Sequence, residues 1–313
     1  MRGRTWKILS AALTLAVVAA HAIAARAQPT PIITDPMLPQ TAPERVSPHV
    51  YVIRGFPNIG IVVGERATLV VDTGVGARTG ALIARAARGL STHGQRLYLT
   101  TTHFHPEHTS GQGGFPVQTT VIRNRAQQDE LEANGARMDA LFASRSAPMK
   151  TLLKGDIPLR ADILFDRGLD LDLGGVHALL RYYGAAHTQG DEIIFIPEDS
   201  LLLPGDVVQN EISPNFSCNS CSPHSWIAVL DQVATLHPRI IIPDHGGFGG
   251  EGLIAQERAF LADLQARVSV LKSQGMSAAQ AGQQIATEFA RKYAGWYTLR
   301  NLPQSVQHAY AQP

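Results

Sequence analysis

The spacing of apolar and polar positions changes several times along this chain, and each change marks an element. Apolar residues alternate or run together in "VYVIRG" (50–55), "IGIVVG" (59–64) and "ATLVVDTG" (67–74). Gly55, Pro57, Asn58 and Gly64 punctuate these runs, so three short strands joined by turns are predicted. "ARTGALIARAARGL" (77–90) then places Leu82, Ile83, Ala86 and Leu90 on one stripe, the pattern of a helix. "RLYLTT" returns to a strand, "TSGQGGFP" permits no more than a short helical turn around Pro106 to Ser110, and 121–145 reads mainly as helix and loop.

Further strands are predicted at "ADILF", "LDLGGVHALLRYYG", "DEIIFIP", "SLLLPGD" and "RIIIPDHGG". Between them "SPHSWIAVLDQVATL" reads as a helix with Ser222 or Ser225 as its cap. Two helices follow, "GLIAQERAFLADLQARVSVLKSQG" and "SAAQAGQQIATEFARKY", the second capped by Ser277. Strands dominate the middle, helices cover the ends, and the glycine fingerprint of a dinucleotide-binding sheet is absent. The expected class is therefore α+β, with two sheets flanked by external helices.

The first residues stand apart. "MRGRTWK" is basic, "ILSAALTLAVVAA" is apolar and "ARA" precedes Gln28, which is the pattern of a cleaved signal peptide over 1–27. The apolar run is shorter than the roughly 20 residues of a membrane-spanning helix, so no stable insertion is expected after cleavage. A proline-rich extended lead-in (28–45) follows, and a single domain is expected over 46–313. Removing Arg2, Arg4, Lys7 and Arg26 takes the formal charge from +1 to −3, which gives no basic surface for nucleic acid. Export makes a periplasmic or secreted protein. For Cys218 and Cys221 in "SCNSC" a local disulfide heads the possibilities, ahead of free thiols and a redox pair.

Candidate chemistry concentrates in "TTHFHPEHTSGQGG" (101–114), where His103, His105, Glu107 and His108 fall within six positions. His103 and His105 alternate by two, so on an extended segment both rings point to one side, and Pro106 turns the chain before Glu107 and His108. Imidazole and carboxylate together suit zinc. His187 in "GAAHTQGD", Asp206 in "LLLPGD" and His245 in "IIIPDHGG" each stand at a strand terminus beside glycine, where a side chain can reach a common edge.

With these motifs in this order, from "TLVVDTG" through His245, the chain resembles the metallo-β-lactamase fold superfamily. The resemblance implies an αββα sandwich with metals at one edge. It implies that His103, His105 and His187 hold a first zinc, that Glu107, His108 and His245 hold a second, and that Asp206 bridges the two. Asp72 in "VVDTG" matches a buried supporting aspartate, suited to fixing the tautomer of a metal-binding histidine. Glu107 departs from the family pattern, which has aspartate there, so the metal geometry has to adjust to a longer side chain. Two zinc ions are expected, with one zinc or iron as alternatives.

The expected function is a zinc-dependent hydrolase that uses a metal-bound hydroxide on a small ester, lactone, thioester or amide, with Asp206 and Glu107 as catalytic carboxylates. A true β-lactam hydrolase is one alternative, and a non-hydrolytic iron-binding or redox accessory protein is another. Phe56, in the first hairpin loop, and His224, in "NFSCNSCSPHSW", are candidate substrate contacts. Thr109 and Ser110 are read as turn residues, and His49, His93, His177, His237 and His308 as ordinary histidines.

Overall fold

The computed structural model describes residues 42–92, 94–156 and 159–311; the expected signal peptide, most of the lead-in and His93 lie outside them. The first sheet has seven strands in sequence order: β1 (Glu44–Arg45), β2 (Val50–Ile53), β3 (Ile59–Val63), β4 (Ala67–Val71), β5 (Arg96–Thr100), β6 (Thr120–Asn124) and β7 (Ile163–Phe165). Pairing is antiparallel from β1 to β4 and parallel from β4 to β7. The parallel strands need crossovers. These are α1 (Gly76–Leu90), then α2 (Pro106–Thr109) with a 3-10 turn over Ser110–Gly114, then α3 (Arg125–Ala143) with α4 (Ala147–Leu152).

The second sheet has the order β12-β11-β10-β9-β8, built from β8 (Gly168–Asp172), β9 (His177–Arg181), β10 (Ile193–Ile196), β11 (Leu201–Leu203) and β12 (Ile240–Ile241). Only its β11–β12 pair is parallel, and α5 (Pro223–Ala234) makes that crossover. The chain continues through α6 (Gly252–Ser273), α7 (Ala278–Lys292) and α8 (Leu302–Ala311). Ser222 and Ser225 form a reciprocal capping box on α5, and Ser277 caps α7 in the same way with Gln280.

Period-two burial assigns each strand face to a layer. Ala67, Leu69 and Val71 of β4 pack with Ala178, Leu180, Ile194, Ile196, Leu201 and Leu203 between the two sheets. Val70, on the opposite face of the same strand, packs with Leu97, Leu99 and the α1 residues Ile83, Ala84 and Ala87. On the far side of the second sheet, Ile193, Phe195, Leu202 and Ile241 pack against Trp226, Val229 and Leu230 of α5 and Ile254 and Leu261 of α6. The result is the expected sandwich of two mixed sheets with helices outside both.

Four elements went unpredicted: β1, β6, α4 and α8. β6 lies where helix and loop were expected, because Arg123 and Asn124 interrupt its apolar run. Both are nonetheless fully buried. Helices α4 and α8 are short, and each has only a few buried apolar positions to reveal its period. The end of the lead-in also joins the sheet, since Glu44 and Arg45 pair with Val52 and Tyr51 as an exposed edge.

The polar interior of β6 is a connected network. Arg123 donates from Nε to Thr101 (3.1 Å), from Nη1 to Gln128 (2.7 Å) and the Leu159 carbonyl (3.1 Å), and from Nη2 to Gln112 (2.8 Å). Beside it Glu192 lies 2.5 Å from the Thr100 hydroxyl and accepts from the Asn124 amide (3.0 Å). These bonds tie β5, β6 and the 3-10 turn together immediately behind the histidine cluster. Replacing Arg123 by Met leaves its acceptors unpartnered, and urea denaturation should show a loss of about 3 kcal/mol.

Burial raises the Glu192 carboxyl from 4.5 to about 8, against the pull of hydrogen bonds from Thr100 and Asn124. A raised folded-state value means that this group's stability contribution is complete below about pH 4.5 and is lost as the pH climbs through 8. Glu192→Gln should therefore flatten the decline of the urea midpoint between these limits; parallel slopes in the two proteins would refute the assignment.

Candidate metal centre

The cluster begins where β5 ends. His105 is extended (φ −64°, ψ 150°), Pro106 opens α2, and the backbone amides of His108 and Thr109 return to the His105 carbonyl at 3.0 and 3.1 Å. That single turn reverses the chain and carries Glu107 and His108 back beside His103 and His105. The Ser110 hydroxyl donates to the Pro106 carbonyl (2.5 Å) and accepts from the Gly76 amide (2.8 Å), while Thr109 donates to the His105 carbonyl (3.1 Å). Both are occupied as turn residues.

Distant segments complete the group. His187 comes from the loop between β9 and β10, Asp206 from a 3-10 turn after β11, and His245 from the loop after β12. Gly205 precedes Asp206 at φ +62°, and a Cβ there would lie 2.8 Å from the Thr102 side chain. Only glycine lets this backbone approach so closely.

Ligand atoms of His103, His105 and His187 lie within 4.8 Å of one another, as do those of Glu107, His108 and His245, and those of His103, His108 and Asp206. His103 Nε2 is 3.0 Å and His187 Nε2 3.3 Å from His105 Nδ1. Asp206 sits between the two triads, with Oδ2 3.6 Å from His187 Nε2 and Oδ1 3.4 Å from His245 Nε2. The longer side chain of Glu107 still reaches the group, its Oε1 lying 3.9 Å from His108 Nε2.

Behind the cluster a hydrogen-bond hub holds the rings. Asp72 stands at the end of β4 with φ +71°, a strained value for a non-glycine residue. Its carboxylate accepts from the Thr102 amide (2.8 Å) and faces His108 Nδ1 (3.1 Å). Asp244 is its unpredicted counterpart: Oδ2 accepts from the Thr102 hydroxyl (2.7 Å) and is 3.2 Å from the same His108 nitrogen. The signal for it was its place directly before His245. His187 Nδ1 faces the Asn215 carbonyl (2.9 Å), which leaves Nε2 for the cluster.

Electrostatics tests whether a cation fits. Burial pushes His103 and His105 well below the usual histidine range, lowers His187, and takes His245 down to about 3. Burial also raises Glu107 to about 7, raises Asp206, and takes Asp244 up to about 6 with Asp72 adding to the effect. His108 moves the other way: burial opposes its charge, but Asp72 and Asp244 hold it well above the ordinary value. Without a cation, most of the group is thus driven toward neutrality by lost hydration. Five of its buried atoms have no hydrogen-bond partner: His105 Nε2, Glu107 Oε2, His108 Nε2, Asp206 Oδ1 and His245 Nδ1. Such unsatisfied imidazole and carboxylate atoms fit a metal such as zinc or iron.

The cluster faces a cavity of about 600 Å³. Phe56 lines it with its ring 4.0 Å from that of His245, whereas His224 is exposed at the start of α5 and does not reach it. His49, His177 and His237 face the carboxylates of Asp199, Glu198 and Glu251, and His308 faces the Cys221 carbonyl, all away from the cluster. Cys218 and Cys221 form a disulfide in the segment that carries Asn215. The cavity also takes in Arg145, Gln209, Tyr297 and Arg300, which no local motif marks.

Known proteins share this architecture. The structure of a metallo-beta-lactamase from Pontibacter korlensis superposes with a TM-score of 0.56 at 16% identity, covering 71% of this chain and 98% of that one. The sec-alkylsulfatase Pisa1 from Pseudomonas sp. superposes at 0.64 and 16% identity, over 86% of this chain and 49% of its own. In sequence, "Metallo-beta-lactamase type 2" of Bacteroides fragilis is 26% identical over 93 residues, which span 29% of this chain and only 37% of that enzyme. The family profile described as the Metallo-beta-lactamase superfamily matches residues 52–245, a span that holds every residue of the histidine cluster. On that match, which covers more than half of its length, the chain belongs to the metallo-beta-lactamase superfamily.

Proposed function

We propose that this protein is an exported, zinc-dependent hydrolase of small esters, lactones, thioesters or amides. The observation that carries the reading is the group of buried, unpartnered imidazole and carboxylate atoms along one wall of a substrate-sized cavity. In this reading His103, His105 and His187 hold one ion, Glu107, His108 and His245 hold the other, and Asp206 lies between them. Zinc in such a site supplies Lewis acidity and activates water at neutral pH.

The chain's own residues do the rest. Among the described residues Asp206 and Glu107 are the only carboxylates lining the cavity, so they are placed to orient a water and accept its proton. Asp72 and Asp244 fix the His108 tautomer through Nδ1, and the Asn215 carbonyl does the same for His187. Phe56 covers His245 and excludes water from that side. Export is supported by the apolar leader of the sequence and by the disulfide, which persists in oxidising compartments.

A panel of β-lactams, lactones, thioesters and sulfate esters, run on protein loaded separately with zinc and iron, separates this reading from its rivals. Hydrolysis confined to β-lactams would identify a true β-lactamase. Iron retention with an oxygen-dependent spectrum and no hydrolysis would instead identify an accessory protein. His187→Ala should abolish hydrolysis and lower bound metal measured by mass spectrometry; unchanged turnover would refute its role. Asp244→Asn keeps the shape but loses the charge facing His108, and zinc affinity in a chelator competition should fall about 10- to 100-fold.

A further inference from the structure

The cavity has a second chemical character that the metal cluster does not use. Two cations line it, Arg145 and Arg300, and both of its lining carboxylates, Glu107 and Asp206, belong to the cluster. Glu107 acts on the Arg145 guanidinium through space, and among the described residues no acid outside the cluster lines the wall. Both arginine side chains are exposed, and among the described residues neither makes an ion pair within 4.0 Å, so their guanidinium groups are open to a ligand.

The two arginines reach the cavity from different parts of the chain. Arg145 follows α3, and its guanidinium lies over the Phe142 ring at 3.5 Å. That contact orients the planar fork while leaving its N–H donors free. Arg300 lies in the turn before α8, outside the span 52–245 that the family profile matches. The segment is docked firmly. Ser213 donates to the Tyr297 carbonyl (3.0 Å), Tyr297 donates to the Glu211 carbonyl (2.7 Å), and Ser305 donates to the Pro214 carbonyl (3.2 Å). Asn301 and Gln304 add amide donors to the same wall, while Phe142, Phe216 and Tyr297 give the cavity an apolar body.

We propose that Arg145 and Arg300 form a subsite for an anionic group on the substrate, so that the preferred substrates are small organic anions with an apolar body and a carboxylate remote from the bond that breaks. This deepens the hydrolase reading and rests on it for the identity of that bond. A planar guanidinium matches a carboxylate in two parallel hydrogen bonds, and a cation held by the cluster would make the cavity still more attractive to an anion. The C-terminal segment is then a specificity element added to the family's metal-binding core.

The test compares mono(para-nitrophenyl) glutarate with para-nitrophenyl pentanoate, an anionic and a neutral ester of equal chain length, on the zinc-loaded full chain. The expected kcat/KM is about tenfold higher for the anionic ester at low salt, and the advantage shrinks as salt is added. Arg300→Gln should raise KM for the anionic ester about three- to tenfold while leaving the neutral ester and the zinc content unchanged, and Arg145→Gln should raise KM for the anionic ester by a larger factor than for the neutral one. Equal effects on both esters, or no preference in the wild type, would overturn the subsite.

If neither ester is cleaved, it is the hydrolase reading that is in question, and calorimetric titration with hexanoate and hexanamide still decides the anion subsite. Hexanoate binding that is lost in the doubly substituted protein supports it. Binding that is undiminished there, held by zinc alone, or absent from the wild type overturns it.

Discussion

Imidazoles and carboxylates held out of water within a few ångströms of each other are costly unless something replaces their hydration, and that cost governs the structure around them. Burial drives His103, His105, His187 and His245 toward the neutral base and Glu107 and Asp206 toward the neutral acid. A divalent cation reverses both tendencies at once, since it prefers neutral imidazole and ionised carboxylate. The same low-dielectric setting that makes unpartnered polar groups costly would strengthen their bonds to a cation.

Holding such a group together requires a rigid frame, and most of the polar interior serves that purpose. Thr102 bonds both Asp72 and Asp244, and these two aspartates share His108 between them. Asp72 does so from a strained backbone, which persists because β4, β5 and the 101–110 turn determine its position from several sides. One layer further back, Arg123 and Glu192 stitch β5 to β6 and to the 3-10 turn. Backbone hydrogen bonds from the disulfide-bearing segment hold His187 from the other side, with Ser217 donating to its carbonyl and Asn215 accepting from its ring.

The cavity draws on parts of the chain that the cluster does not. The histidine and carboxylate positions all fall inside the span that matches the family, while Tyr297, Arg300, Asn301 and Gln304 reach the cavity from beyond it. The aromatic residues of that region divide the labour. Tyr293 and Trp296 pack on Phe260 in the helical layer, whereas the adjacent Tyr297 faces the cavity.

By itself the sequence determined the strands with period-two or continuous apolar runs, the capped helices α5 and α7, and the crowding of His103, His105, Glu107 and His108. Each is a local property: side-chain alternation, capping chemistry and a proline-led turn are written within a few residues. What only the tertiary structure decided are features whose cause lies far away along the chain. β6 is a strand because Gln112, Gln128 and Thr101 satisfy an arginine that would otherwise be expelled from the interior. Asp244 matters because folding brings it to a histidine more than a hundred positions earlier, and Arg145 and Arg300 share one cavity because α8 docks on the 211–222 segment. Burial and partner satisfaction are set by distance in space, and the order of residues encodes them only through the fold.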